Sequence, residues 1–168
     1  QLMKKVKSLG LTTSLDMAYP DPASDAGKAD WNTILGKTLP YVDIFVPSFD
    51  EIVFMLWHET TLAPTPFLLE KMSSELMSLG AKVILLKLGD RGLYLRTGNA
   101  DQMERVGFAK PAMFREWSNF EAWLPCYEVD VVGTTGSGDV TIAGFLASLS
   151  RGLTPVGALE TALAVGAC

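Results

Sequence analysis

The stretch that decides the fold is Val129-Asp-Val-Val-Gly-Thr-Thr-Gly-Ser-Gly-Asp139, followed directly by Val140-Thr-Ile-Ala-Gly-Phe-Leu-Ala-Ser-Leu149. The first part is a short run with β-branched residues that ends in a loop with three glycines, and the second part is apolar with helical spacing. This order predicts a strand over residues 128–132, a glycine turn and a helix over residues 137–150. A strand followed by a turn and a helix is a unit of α/β folds.

The predicted glycine turn is suited to hold an anion. Backbone N–H groups in the first turn of a helix have no partner within the helix and carry the positive end of its dipole, and glycines let the backbone approach a phosphate closely. Asp139 lies inside this positive region. A carboxylate there repels a bound phosphate, but it is well placed to take a proton from a hydroxyl that attacks the phosphate. The residues therefore favour phosphoryl transfer to an alcohol. Stabilisation of the helix start by Asp139, worth about 0.3 to 1 kcal/mol, is an equal alternative.

Two other glycine-loop motifs do not fit the residues that follow the loop. A Walker loop needs Lys and then Ser or Thr after its last glycine, where this chain has Asp139 and Val140. A dinucleotide-binding fingerprint needs a third glycine where this chain has Thr141. Neither a Walker site nor a dinucleotide site is therefore predicted.

Length and composition are typical of one globular domain. The chain has 168 residues, of which 48% are hydrophobic and 20% are charged, which is enough apolar material for a core. The net charge of -5 comes without a basic run, so nucleic acid is not expected as a partner. No apolar stretch is long enough to cross a bilayer, so no membrane partner is expected. Two cysteines do not form a disulfide framework and no signal-peptide pattern opens the chain, so the expected compartment is the cytoplasm.

Strand and helix patterns alternate along the rest of the chain. Buried strands are predicted at residues 11–16, 41–46 and 82–89. Helices are predicted between them, with Asp30 and Thr65 as N-caps, and residues 93–96 alternate like the return strand of a hairpin. Residues 98–127 match neither pattern. The alternation predicts a three-layer α/β/α fold around a mostly parallel central sheet.

Polar residues follow the predicted strand ends, where ligands bind in open α/β sheets. Asp16 ends the first predicted strand, and Lys87 lies near the end of the third. After the second, Ser48-Phe-Asp-Glu51 has the spacing of a capping box, in which two side chains satisfy N–H groups at the start of a helix. Asp16 and Lys87 are therefore predicted at strand ends, and Ser48 and Glu51 at the start of the helix that follows the second strand.

The glycine stretch resembles a known signature. Gly133-Thr-Thr-Gly-Ser-Gly-Asp139, with Ala143-Gly-Phe145 after it, is similar to the second signature of the ribokinase-like (PfkB) carbohydrate kinase family, Asp-Thr-x-Gly-Ala-Gly-Asp. The resemblance implies that Asp139 is the catalytic base. It also implies that three backbone positions form the anion hole for the transferred phosphate, namely Gly136, Ser137 and Gly138.

The chain departs from the family at several motif positions. Ser137 replaces Ala and keeps the N–H group, whereas Gly133 replaces the leading Asp and removes a carboxylate that bears on loop order and metal handling. At the end of the first strand, relatives often carry Asp-x-Asn-x-Arg, where this chain has Asp16, Ala18 and Pro20. The resemblance therefore implies at most a weak phosphate contact for Asp16, with capping of the strand end as an equal alternative.

The resemblance also implies a nucleotide site. The Lys-Leu-Gly-x-x-Gly element of the family corresponds to Lys87, Gly89 and Gly92, which places Lys87 within reach of a phosphate of ATP. The alternatives are a lysine that extends to water at a sheet edge and two glycines that serve a hairpin. Thr134 and Thr135 can add hydroxyl donors.

Glu51 is the candidate metal residue. The family has an Asn-x-x-Glu motif here, in which the Glu helps to place Mg²⁺ and the nucleotide phosphates, largely through water, and in this chain Ser48 replaces the Asn. The capping-box role and the metal role are compatible, because Mg²⁺ is commonly held through waters by one or two carboxylates together with substrate phosphates.

The resemblance as a whole implies an incomplete ribokinase-like domain. Residues 1–168 are interpreted as the C-terminal part of a single α/β kinase domain whose N-terminal substrate-binding part is absent. The expected activity is transfer of the γ-phosphate of ATP, with Mg²⁺, to a hydroxyl of a small sugar or related alcohol, and assembly as a homodimer is left open. The alternatives are a non-catalytic nucleotide or sugar-phosphate sensor with the same fold, and a folded half-domain without activity.

Overall fold

The computed structural model describes residues 2–130 and 133–167. The elements follow in chain order as α1 (Leu2–Ser8), β1 (Ser14–Leu15), α2 (Trp31–Thr38), β2 (Ile44–Phe45), α3 (Phe49–Trp57), α4 (Pro66–Ser78), β3 (Val83–Lys87), β4 (Leu93–Thr97), α5 (Ala100–Glu104), β5 (Glu121–Leu124), α6 (Ser137–Ser150) and α7 (Pro155–Gly166). No helix in this described part is both long enough and apolar enough to cross a bilayer.

Within the described residues, five strands form one sheet in the order β1-β2-β3-β4-β5. The pairings β1 with β2 and β2 with β3 are parallel, and the pairings β3 with β4 and β4 with β5 are antiparallel, so the sheet is mixed. The predicted hairpin is confirmed, with Val83 opposite Thr97 and Lys87 opposite Leu93. Because β1, β2 and β3 run in the same direction, the residues that follow them lie at the same edge of the sheet.

Helices cover both faces of this sheet. Ile84 and Leu86 of β3 belong to a core that includes residues of α2, α3 and α4, whereas Val83 and Leu85 belong to a second core with residues of α5, α6 and α7. All four side chains are fully buried, and burial of one such aliphatic side chain contributes about 1.5 to 3 kcal/mol. The predicted three-layer α/β/α arrangement is confirmed.

The first two strands are shorter than predicted. Both β1 and β2 have two residues, whereas the sequence pattern predicted six for each. Before β2, the chain forms a 3-10 turn over Leu39–Tyr41. Pro40 favours this turn, because its fixed φ fits the start of a helix and it has no N–H to donate to a sheet ladder.

The stretch over residues 98–127, which showed no clear pattern, contains α5 and β5. Trp117 is fully buried, and its indole N–H donates to the carbonyl of Leu153 at 3.1 Å. The strand predicted at residues 128–132 is absent from the part of that range that the structure describes. Residues 128–130 have no regular structure, and residues 131–132 lie outside the described residues.

A buried carboxylate joins the first helix to the centre of the sheet. Asp43 has a fully buried side chain, which lies 2.8 Å from Nζ of Lys7 and 3.0 Å from Nζ of Lys82. It also accepts a hydrogen bond of 2.9 Å from the N–H of Thr13. Because an unpaired buried charge is costly, these contacts hold α1, β1 and β3 around the start of β2.

Candidate active site at the strand ends

The ends of β1, β2 and β3 bring together the polar residues that the sequence placed there. Lys87 N–H donates to the carbonyl of Pro47 at 3.0 Å, and Ser48 forms a parallel bridge with Lys87. Next to β1, the N–H of Val46 donates to the carbonyl of Leu15 at 2.9 Å, which fixes the backbone directly before Asp16. The ends of β1, β2 and β3 thus lie at one edge of the sheet.

Lys87 and Asp16 form an ion pair across this edge. The Nζ atom of Lys87 lies 2.7 Å from Oδ1 of Asp16, and the two side chains are 16% and 35% exposed. One interpretation of the sequence had this lysine extending freely into water, and the ion pair contradicts it. A carboxylate holds its ammonium group at the edge of the sheet.

Glu51 lies in the first turn of α3, beside the same edge. Its Oε2 atom accepts a hydrogen bond of 2.8 Å from the N–H of Ser48, and the predicted capping box is present. Burial raises the pKa of the Glu51 carboxyl above its usual value, the bonds with Ser48 and the charge of Lys87 oppose this rise, and the charge of Asp16 adds to it. Glu51, Lys87 and Asp16 therefore act on one another electrostatically.

The glycine turn leads into α6 as the sequence predicted. Gly136 is the N-cap, with a left-handed φ of 84°, and α6 begins at Ser137. The Ser137 N–H donates to the carbonyl of Thr134 at 3.2 Å, so this amide, which was expected in the anion hole, takes part in a turn. Among residues 2–130 and 133–167, the N–H groups of Gly136 and Gly138 have no hydrogen-bond acceptor. Two of the three predicted amides are thus open in this structure.

Asp139 is the third residue of α6, and its side chain is exposed. Within the described part of the chain, its carboxylate has no hydrogen-bond or ion-pair partner. The preceding loop residues Thr134 and Thr135 are exposed as well. A ligand at the start of α6 can therefore reach the Asp139 carboxylate without breaking an existing contact.

Lys87 connects the strand ends to the start of α6. A Cβ atom placed on Gly138 would lie 3.8 Å from Nζ of Lys87 and 3.9 Å from its Cδ. The ammonium group therefore lies close to Gly138, in the first turn of α6. A cation, two backbone N–H groups and a helix N-terminus together favour an anion, and phosphate is the anion for which this combination is best known.

The glycines of the β3–β4 hairpin have a structural role. Residues Gly89–Arg91 form a 3-10 turn, and Gly89 and Gly92 have positive φ angles of 62° and 96°. A Cβ on Gly92 would overlap the carbonyl oxygen of Leu124 in β5, whereas a Cβ on Gly89 would meet no atom within 4 Å. The hairpin interpretation is confirmed, and a contact with nucleotide stays a prediction.

Glu51, the candidate metal residue, has few possible metal ligands around it. Among the described residues, no group of three or more His, Cys, Asp or Glu side chains could hold a metal ion directly. Glu51 accepts the Ser48 N–H at Oε2, and an ionised carboxylate has further lone pairs that can accept a hydrogen bond from a metal-bound water. The residues fit Mg²⁺ held through water and phosphates, and they do not form a protein cage.

Fold and site together define a three-layer α/β protein with a glycine turn at the start of α6 and an accessible carboxylate in the first turn of that helix. The chain matches the family model of the pfkB family carbohydrate kinases over residues 1–168. It therefore belongs to the pfkB carbohydrate kinase family. The comparison with curated proteins finds no match.

Solved structures share the fold of this chain. Arabidopsis thaliana ribokinase complexed with ribose and ATP is 23% identical, with a TM-score of 0.69, over 99% of this chain and 44% of that one. Salmonella enterica aminoimidazole riboside kinase, complexed with aminoimidazole riboside and an ATP analogue, is 20% identical, with a TM-score of 0.66, over 98% and 48%. An E. coli protein provisionally described as ribokinase II, in complex with ATP and Mg²⁺, is 23% identical, with a TM-score of 0.65, over 98% and 44%. The chain therefore spans less than half the length of these proteins.

Proposed function

We propose that the whole protein transfers the γ-phosphate of ATP to a hydroxyl group of a small sugar or related alcohol. The observation that carries the proposal is the exposed Asp139 carboxylate, which has no partner among residues 2–130 and 133–167. It lies in the same helical turn as Gly138, the residue close to the ammonium of Lys87. A base next to an anion site suits removal of a proton from an attacking hydroxyl. Membership of the pfkB family agrees with this chemistry.

The proposed roles follow from what each group can do. Asp139 accepts the hydroxyl proton as the oxygen bonds to the γ-phosphorus and the bond from that phosphorus to the leaving ADP breaks. Such base catalysis typically contributes about 10² to 10⁴ in rate. The N–H groups of Gly136 and Gly138 stabilise the developing charge on the transferred phosphate, and the loss of one such donor costs about 10² to 10³. The Ser137 amide can join them after it releases the Thr134 carbonyl. Lys87 binds a phosphate oxygen of the nucleotide.

Glu51 is proposed to orient a hydrated Mg²⁺ on the nucleotide. When bound, Mg²⁺ neutralises charge on the phosphates. The side chain of Glu51 is fixed for this task because Ser48 holds one of its oxygens. Thr134 and Thr135 are proposed as further hydroxyl donors to the nucleotide, and Gly89 and Gly92 as the backbone that borders it.

The acceptor class is proposed from the family and from the similar structures. Arabidopsis ribokinase is complexed with ribose, and the Salmonella enzyme with aminoimidazole riboside. Both compounds contain a five-carbon sugar with free hydroxyl groups, so a sugar or riboside is the first acceptor to test. Residues 1–168 are proposed as the C-terminal part of one kinase domain, and a cytoplasmic location and a homodimer remain predictions.

The experiment that tests this proposal is the substitution Asp139→Asn in the whole protein, with phosphorylation of a panel of sugars and ribosides by ATP as the readout. Turnover should fall by about 10² or more while ATP binding stays within a few-fold, because the amide cannot accept the proton. The matched control is Asp101→Asn, since Asp101 is also an exposed acid in the first turn of a helix. Turnover of Asp139→Asn within a few-fold of the control contradicts the role of Asp139.

A second candidate function is a non-catalytic sensor of nucleotides or sugar phosphates. It is favoured by the motif positions at which the chain has Gly133, Ala18 and Pro20 in place of polar residues. A sensor binds ATP or a sugar phosphate but releases no ADP with any acceptor. Measurement of ATP binding together with ADP release therefore separates the two functions.

A further inference from the structure

The ion pair between Asp16 and Lys87 joins two residues that are 71 positions apart in the chain. Lysine has a flexible stem of four carbons, so a free ammonium group samples many positions and loses entropy when it binds one phosphate oxygen. The 2.7 Å contact with Asp16 restricts the ammonium before any ligand arrives. Preorganisation of this kind favours binding because it lowers the ordering cost.

Asp16 is itself well fixed. It follows β1 directly, and β1 pairs in parallel with β2 through Ser14 opposite Ile44 and Leu15 opposite Phe45. The Leu15 carbonyl accepts the N–H of Val46 at 2.9 Å. The carboxylate that holds Lys87 thus stands at the end of a paired strand, and the strand gives it a defined position.

The position that Asp16 imposes on Lys87 is close to the candidate anion site. The ammonium lies 3.8 Å from the place of a Cβ on Gly138, in the first turn of α6. It is also close enough to Glu51 to oppose the rise in that carboxyl's pKa. Asp16 therefore holds the cation between the start of α6 and the start of α3.

We propose that Asp16 is a positioning residue that acts through Lys87, by holding its ammonium beside Gly138 where a nucleotide phosphate binds. This inference rests on the proposed function, because it assumes a phosphate at the start of α6. It gives Asp16 neither a direct contact with phosphate nor a role limited to capping the strand end. The negative charge of Asp16 would by itself repel phosphate. Asp16 therefore favours phosphate binding only while Lys87 is present and its ammonium group is held by the ion pair.

Because Asp16 acts through Lys87, the effect of Asp16→Asn on ATP affinity should depend on whether Lys87 is present. A purely structural role of Asp16 does not produce this dependence. In the wild-type background, Asp16→Asn leaves the ammonium unrestrained and should weaken ATP binding roughly threefold, the size of a modest ion-pair effect. Lys87→Met removes the cation and should weaken binding roughly tenfold. With Met at position 87, the Asp16 charge is unpaired and repels phosphate, so adding Asp16→Asn should strengthen binding roughly threefold.

The experiment is a double-mutant cycle on the dissociation constant of ATP, measured by titration calorimetry on the whole protein. It uses wild type, Asp16→Asn, Lys87→Met and the double variant. Lys71→Met is the matched control, because Lys71 is an exposed lysine that pairs with Glu75 on α4. Asp16→Glu keeps the charge and should retain affinity within twofold. Thermal unfolding of each variant shows that it is folded.

The expected result is a change of sign in the effect of Asp16→Asn between the two backgrounds. The same weakening in both backgrounds overturns the proposal, because it indicates a direct contact of Asp16 with the ligand. No effect on affinity in either background overturns it in favour of strand-end capping. If wild type binds no ATP at all, the proposed function itself fails and this inference fails with it.

Discussion

The Oε2 atom of Glu51 lies 2.8 Å from the backbone nitrogen of Ser48 and accepts its N–H. The bond fastens the Glu51 carboxylate to the N-cap of α3, and substitution can separate this capping task from the proposed task in catalysis. One task is to cap the helix, which needs an acceptor atom. The proposed task is to orient a hydrated Mg²⁺, which needs a negative charge.

Glu51→Gln is expected to impair the use of Mg²⁺ while it keeps the fold. Glutamine retains an oxygen that accepts the Ser48 N–H, but its charge is lost. The Mg²⁺ concentration for half-maximal phosphorylation should rise by roughly 10- to 100-fold, as is usual when a residue behind a metal ligand is changed. Steady-state rates over a range of Mg²⁺ concentrations measure this.

Glu51→Ala provides the comparison for that prediction. It removes both the acceptor and the charge, so it should also lower the free energy of unfolding by about 0.5 to 2 kcal/mol, the cost of a lost helix cap. An unchanged Mg²⁺ requirement in Glu51→Gln would show that the carboxylate serves the helix alone.

The raised pKa of Glu51 predicts a pH dependence of stability. Burial lifts the folded-state pKa above the usual 4.5, so the folded state holds this proton more tightly than the unfolded state does. The stabilising effect of the proton is complete below about pH 4.5 and is lost as the pH rises through the folded-state value. Wild type should therefore lose stability relative to Glu51→Gln as the pH rises above about 4.5. Urea unfolding of both proteins across this range measures the difference, and parallel curves would contradict it.

The two hairpin glycines should differ in their tolerance of a side chain. Gly92→Ala should lower the free energy of unfolding by about 2 kcal/mol or more, because its φ is 96° and the added Cβ meets the Leu124 carbonyl. Gly89→Ala, at φ 62° with open space around it, should cost about 1 kcal/mol. Urea denaturation of both variants provides the test. An equal loss of unfolding free energy in the two would mean that the positive φ alone, and not the contact with Leu124, sets the cost of the added side chain.

The sequence predicted local features well because their partners are close in the chain. Asp30 accepts the Thr33 N–H and Thr65 accepts the Leu68 N–H, so both predicted N-caps are confirmed. The helix over residues 137–150 has the predicted bounds. Each of these features depends on contacts within one helical turn.

Features that depend on distant partners were missed. β5 exists because it pairs with β4, and its own residues carry no alternating pattern. The ion pair of Asp16 with Lys87 requires the register of three strands, although a carboxylate and a lysine at the ends of predicted parallel strands were a usable signal. The turn that occupies the Ser137 amide depends on the loop conformation, which glycines leave undetermined.

The buried ion pairs of Asp43 have a consequence for how the protein unfolds. Its carboxylate is shared between a lysine of the first helix and a lysine that precedes β3, and no water reaches it. Detachment of α1 would take Lys7 away from a charge in the protein interior, so detachment of this helix is opposed electrostatically. We therefore expect the amides of α1 and of the central strands to exchange their hydrogens with solvent in one cooperative opening.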